Sequence, residues 1–314
     1  MANLPPIVRA LFPGETAALG YTFFRQREAR PLNFIDHPGN FWNNAWWCSQ
    51  LSLLAYAGEQ AVGKTLLPTG LDLLAPVVIK EDLCAFVVAT RDRKTIVVAI
   101  RGTLLPAPQW PISTADTRDA LGNWARNLNV NPIGIGAGQS VHPGMRDAWL
   151  KLEPEVSNAL THAPEREMLV WAGHSLGGGV ATIASRLSPQ PAHCAQLIVS
   201  FGSPRAGNAA FARAHPIPHW RFVLGADAVT NVPPADTLGI TSSWSYSHHG
   251  SKLDLSWDNA FFSDAEAAQL ITDQFDFGGP PGLTDIAELA LVPHPLRDHA
   301  MLLYAAKCEA FATP

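Results

Sequence analysis

Ser175 stands in the pentapeptide Gly173-His174-Ser175-Leu176-Gly177, between an apolar run that includes Leu169, Val170 and Trp171 and a small-residue segment opening on Gly177, Gly178 and Gly179. A strand running sharply into a helix needs small residues where backbone meets backbone, and the turn lifts the serine hydroxyl to the helix N-terminus. Free N–H groups there favour a developing negative charge. This is the arrangement of a serine nucleophile for acyl transfer; the bland alternative is a glycine-rich turn. A serine hydroxyl is weakly nucleophilic at neutral pH, so the chemistry also needs a histidine base and a buried carboxylate that orients it.

Both types occur downstream. Asp227, in FVLGADAVTNVPP, follows an apolar strand, and Asp236, in PPADT, competes with it. The histidines are His193, His215, His219, His248, His249, His294 and His299. Spacing does not choose among them, although His299 begins a helical apolar stretch. The oxyanion of a tetrahedral intermediate requires two donors. One is expected to be the backbone N–H of Leu176, and the other Thr103, at the end of the strand run AIRGT.

The elements that must hold these residues alternate. A segment from Trp42 to Leu66 reads as an amphipathic helix. CAFVVAT (Cys84–Thr90) and KTIVVAIRGT (Lys94–Thr103) read as adjacent strands, the second buried on both faces. MRDAWLKLEPEVSNAL reads as a helix, EMLVWAGHS as a strand into a turn, LGGGVATIASRLS as a helix, and CAQLIVSFGSP and WRFVLGADAV as strands. That order predicts an α/β protein with a mostly parallel central sheet and helices on its faces. With 314 residues, 47% hydrophobic and 16% charged, the chain can fill one core, and a single domain over 1–314 is expected, with 1–41 as an N-terminal extension.

The formal net charge of −5 supplies no basic footprint for nucleic acid. No 18-residue apolar run suggests a spanning helix, and no basic-then-apolar secretory signal is visible, so a cytoplasmic, leaderless or processed product is expected. The four cysteines, Cys48, Cys84, Cys194 and Cys308, show no CxxC spacing and read as free buried thiols. A metal site at His248 and His249 is disfavoured, since neighbours on an extended segment point to opposite faces. No metal or organic cofactor is required by the chemistry.

Taken together, VVAIRGT (Val97–Thr103), VHPGM (Val141–Met145), VWAGHSLGG (Val170–Gly178), VSFGSPRAGN (Val199–Asn208) and the D-x-V-x-x-x-P element (Asp227–Pro233) closely resemble blocks of the class 3 lipases, in family order. The resemblance runs from about Cys84 to the C-terminus and implies an α/β-hydrolase fold with helices on both faces and a lid segment. It implies Ser175 as nucleophile, Asp227 as triad acid and Thr103 at the oxyanion position. It favours His299, because DHAMLLY (Asp298–Tyr304) looks like the family's C-terminal DHxxY element, and it demotes His248 and His249, because SYSHHG looks like an internal block. It also makes roughly 104–123 the lid. Leu104, Trp110, Trp124 and His174 are then candidate substrate contacts, against the alternative that the apolar residues of this region pack on the body. Proline enrichment in the lid and the lack of an obvious disulfide set depart from the fungal members. Lipid esters of the triacylglycerol or simpler carboxylester kind are the expected substrates. A phospholipase A acting as an exported effector and a silent hydrolase-fold binding protein are the alternatives.

Overall fold

The structure is a computed structural model that describes residues 4–16, 19–35, 40–104, 131–235, 245–256, 263–275 and 280–312. Trp110, Trp124, Asp236 and all of the expected lid beyond Leu104 lie outside the described residues.

The described residues build an eight-stranded sheet in the order β1 (Leu71–Leu73), β3 (Leu83–Thr90), β4 (Thr95–Ile100), β7 (Met168–His174), β8 (Ala195–Phe201), β9 (His219–Val223) and β10 (Ser251–Asp254), with β2 (Val78–Lys80) also paired to β3. Strands β4, β7, β8, β9 and β10 are mutually parallel, whereas β3 runs antiparallel to β4 across a tight turn. A separate two-stranded ribbon joins β5 (Ile133–Gly136) to β6 (Gln139–Val141).

The near-continuous Ile and Val of β4 follow from burial on both faces: all six of its residues are buried. Alternate side chains then feed two different cores. Phe86, Val88, Val97, Ala99, Val170 and Ala172 join one apolar cluster with the helices Phe41–Leu54 and Met301–Phe311. Ala85, Val87, Ile96, Val98, Leu169 and Trp171 join the other, with the helices Pro143–Leu160 and Leu176–Leu187. The His142 imidazole caps the helix Pro143–Leu160 by accepting from the Met145 N–H at 3.3 Å.

The expected single amphipathic helix from Trp42 to Leu66 is corrected in two respects. It is two helices, Phe41–Leu54 and Glu59–Leu66, and the first is not amphipathic, since every residue from Asn44 to Leu54 is buried. The break ends at Gly58, whose φ of +84° suits glycine. A helix sandwiched between β7 and the C-terminal helix has no solvent face, so apolar spacing reported its burial but not its end.

Candidate active site

The parallel pairing of β4 with β7 aligns Ile100 with Gly173, so the segments that follow both strands emerge side by side. They lie so close that a Cβ on Gly177 would sit 2.2 Å from the Ile100 carbonyl oxygen, and one on Gly173 would sit 2.5 Å from the Gly177 carbonyl. The two glycines of the pentapeptide are therefore fixed by backbone-to-backbone approach. Between them Ser175 takes φ +57° and ψ −130°, a conformation that ordinary side chains rarely occupy. Backbone bonds hold it: the Ser175 N–H donates to the Phe201 carbonyl at 2.9 Å, and the Ser175 carbonyl accepts from the Gly178 N–H at 3.0 Å and the Gly179 N–H at 3.4 Å.

From this elbow the Ser175 hydroxyl meets His299 Nε2 at 2.9 Å, across 124 positions of sequence. The other ring nitrogen, Nδ1, lies 2.9 Å from both carboxylate oxygens of Asp227. Asp227 follows β9 and is almost wholly buried. Its carboxylate also accepts from the Val229 N–H at 2.9 Å and from the Tyr304 hydroxyl at 2.6 Å. Burial and the adjacent Asp227 charge push the Tyr304 phenol well above its ordinary range, so it remains a donor, while its oxygen accepts from the Leu224 N–H at 3.0 Å. Next to His299, Asp298 accepts from the Ala226 N–H at 2.8 Å and from the Arg297 guanidinium, pinning the start of the C-terminal helix to the loop that carries Asp227. Gly202, at φ +57°, leaves the space this pairing requires: a Cβ there would meet Asp227 Oδ2 at 2.5 Å and His299 Nδ1 at 3.0 Å.

Leu176 is the first residue of the helix Leu176–Leu187, so its N–H has no acceptor within the helix. Thr103 lines the same cavity as Ser175, and a Cβ on neighbouring Gly102 would approach the Ser175 Cβ to 2.8 Å. The two expected oxyanion donors thus flank one serine. Leu104, Val229, Leu296 and Ala300 give the cavity apolar sides.

His174 also lines this cavity, but both of its ring nitrogens are engaged by the protein. Nε2 lies 2.9 Å from the His299 carbonyl, which can only accept, so Nε2 carries the proton and Nδ1 accepts from the Tyr56 hydroxyl at 2.8 Å. Burial holds the His174 imidazole well below its usual range, in keeping with a neutral ring. Tyr56 in turn accepts from the Gly102 N–H at 3.0 Å. A single chain of hydrogen bonds therefore runs from the strand end beside Thr103, through Tyr56 and His174, to the backbone of His299. Tyr56 was not legible as a site residue, because nothing local to AYAG distinguishes a core tyrosine from one whose hydroxyl joins residue 102 to residue 174. Tyr56→Phe should leave the ring packed and lose both bonds. A kcat lowered roughly tenfold to a hundredfold with KM little changed is expected, in steady-state kinetics on a soluble ester.

The other histidines downstream have different partners. His248 Nε2 donates to the Thr230 carbonyl at 2.7 Å, and burial with Arg221 nearby takes its imidazole down to about 3. His249 reaches the Ala212 and Ile217 carbonyls, His219 the Ser200 hydroxyl, and His215 the Thr182 carbonyl. The described residues include no group of three or more metal-ligating side chains placed to hold an ion. The four cysteines are free and buried. Among the described residues no helix is long and apolar enough to cross a membrane.

Comparison with known proteins agrees with this architecture. Residues 97–237 match the model of the family described as Lipase (class 3). The secreted mono- and diacylglycerol lipase 1 of Fusarium solani is 32% identical over 164 residues, which cover 49% of this chain and 44% of that protein's length. The chain thus aligns with less than half of this curated relative. The triacylglyceride lipase of Rhizomucor miehei superposes with a TM-score of 0.54 at 21% identity, over 70% of this chain and 82% of that one. A triacylglycerol lipase of Penicillium expansum superposes with a TM-score of 0.52 at 18% identity, over 68% of this chain and 79% of that one. The fold of this chain is the α/β-hydrolase fold of those fungal enzymes, and over residues 97–237 it is similar to the class 3 lipases.

Proposed function

We propose that the protein is a serine-dependent carboxylic ester hydrolase acting on lipid esters through an acyl-enzyme. The observation that carries this reading is the unbroken chain Ser175–His299–Asp227, with 2.9 Å at each link, opening into an apolar cavity. The class 3 family match and the glyceride lipase from Fusarium solani support the same class of substrate.

In this reading His299 removes the Ser175 proton as the hydroxyl oxygen attacks the ester carbonyl. Asp227 fixes the tautomer with the proton on Nδ1 and stabilises the imidazolium that forms. The Leu176 and Thr103 N–H groups receive the oxyanion. Collapse transfers the proton from His299 to the departing alcohol and leaves an acyl group on Ser175. Water, deprotonated by the same histidine, then releases the acid. Every proton moves between protein, substrate and water. Glycerides presented at a lipid–water interface suit the apolar rim at Leu104, which is 43% exposed.

The test is hydrolysis of p-nitrophenyl esters from acetate to palmitate, with a tributyrin emulsion and egg phosphatidylcholine vesicles alongside. Turnover of the esters and of tributyrin, lost after treatment with a fluorophosphonate, is the expected result. Turnover confined to phosphatidylcholine would replace the glyceride reading by a phospholipase. A protein that hydrolyses none of them and takes up no fluorophosphonate is not a serine hydrolase.

A further inference from the structure

The cavity over Ser175 is assembled from distant stretches of chain. Thr103, Leu104, His174, Ser175 and Val229 come from the part that matches the family model, and Leu296, His299 and Ala300 from the C-terminal region. Among the described residues the rest of the lining is Tyr56 and the N-terminal turn Leu11–Gly14, and that turn lies far outside residues 97–237.

This turn is a fixed part of the body. Ile7, Val8, Ala10, Leu11 and Phe12 are all buried. The helix Pro6–Arg9 packs on the helices Asp264–Gln274 and Leu283–Ala290, and the next turn, Pro13–Thr16, packs on the C-terminal helix. Successive backbone bonds tighten it: Leu11 N–H to the Val8 carbonyl at 3.1 Å, Phe12 N–H to Arg9 at 3.0 Å, and Glu15 N–H to Phe12 at 2.8 Å. An ion pair between Arg9 and Glu15 at 2.6 Å clasps it from outside. Leu11, Phe12 and Pro13 bring no polar side chain to the cavity, so what they can contact favourably is hydrocarbon. Gly14 closes the wall toward the oxyanion loop: a Cβ there would lie 3.6 Å from Leu104 Cδ2, in ordinary contact.

We propose that the turn Leu11–Gly14 is the specificity-determining wall of the acyl site, limiting the length and bulk of the chain that can lie beside Ser175. This rests on the hydrolase reading above. Because the wall is rigid and apolar, it selects among acyl groups by fit, and one misfitting methylene in such a pocket is worth roughly tenfold or more. Gly14 is exposed and takes no φ reserved for glycine, so a side chain can be carried there without backbone strain.

Gly14→Trp adds an indole beside Leu104 at the edge of the cavity. The ratio of kcat/KM for p-nitrophenyl decanoate to that for the acetate is expected to fall about tenfold or more. Phe12→Ala should shift the ratio the other way, toward longer chains. Labelling of Ser175 by a short-chain fluorophosphonate verifies that each variant is folded. Independently of turnover, calorimetric titration of decanoate into the Ser175→Ala protein should show binding weakened by the same factor when Gly14→Trp is added. An unchanged chain-length ratio and unchanged decanoate affinity in Gly14→Trp overturn the wall. If the wild type hydrolyses no ester but decanoate binding still weakens in Gly14→Trp, the wall stands and the hydrolase reading falls.

Discussion

Replacing Ser175 by Ala is expected to abolish ester hydrolysis, lowering kcat by about 10⁴-fold or more, while the melting temperature stays close to that of the wild type. In the proposed mechanism the hydroxyl is the atom that forms the acyl-enzyme, so no neighbouring group substitutes for it. The fold should tolerate the change, because what Ser175 contributes structurally is its backbone, held by Phe201 and Gly178. Alanine takes the same φ of +57° at a similar cost to serine, so the strain of the elbow is largely preserved. The complementary measurement uses the histidines. His299→Ala should fall nearly as far as Ser175→Ala, and the double variant no further, because the two side chains act as one unit. His248→Ala should cost far less, since its imidazole is spent on the Thr230 carbonyl. Equal losses at His248 and His299 would remove His299 from the role of base.

The second large effect is expected at Asp227. Asp227→Asn keeps the volume of the side chain but replaces an acceptor by a group that can donate. The His299 ring can then place its proton on Nε2, facing the Ser175 hydroxyl, where it can no longer take the serine proton. A fall in kcat of about 10³- to 10⁴-fold is expected, with substrate binding little affected. Two further donors make the site sensitive to this change, because the Val229 N–H and the Tyr304 hydroxyl both point at the same carboxylate. Tyr304 is fully buried, so a misoriented carboxamide cannot be corrected by water. Single-turnover kinetics with p-nitrophenyl butyrate would show whether the lost step is acylation; a slowed deacylation alone would mean that Asp227 acts elsewhere.

Local features of the chain were legible because local rules govern them. The strands within Cys84–Thr90 and Lys94–Thr103 announce themselves by apolar runs rich in Val and Ile, as a doubly covered sheet requires. The glycines around Ser175 announce the elbow, because close backbone approach at Ile100 and Gly177 admits no Cβ. The blocks from VVAIRGT to DHAMLLY carried the family resemblance, and with it a preference for Asp227 and His299 that their residue types and positions alone did not supply.

Tertiary structure decided the rest. Ser175 and His299 are 124 positions apart and His299 and Asp227 are 72 apart, and such pairings follow from the sheet order and the docking of the C-terminal helix rather than from any pattern nearby. Gly202 was read as part of a sequence block, yet its purpose is to leave room for a carboxylate and an imidazole that arrive from elsewhere. The helix break that frees Tyr56 was invisible in an apolar run, because burial on every side erases the periodicity that marks an end. The N-terminal turn carries no catalytic residue type at all. Its place beside Ser175 comes from apolar side chains that find the helices near the C-terminus, and hydrophobic burial, being non-directional, writes no motif into the sequence.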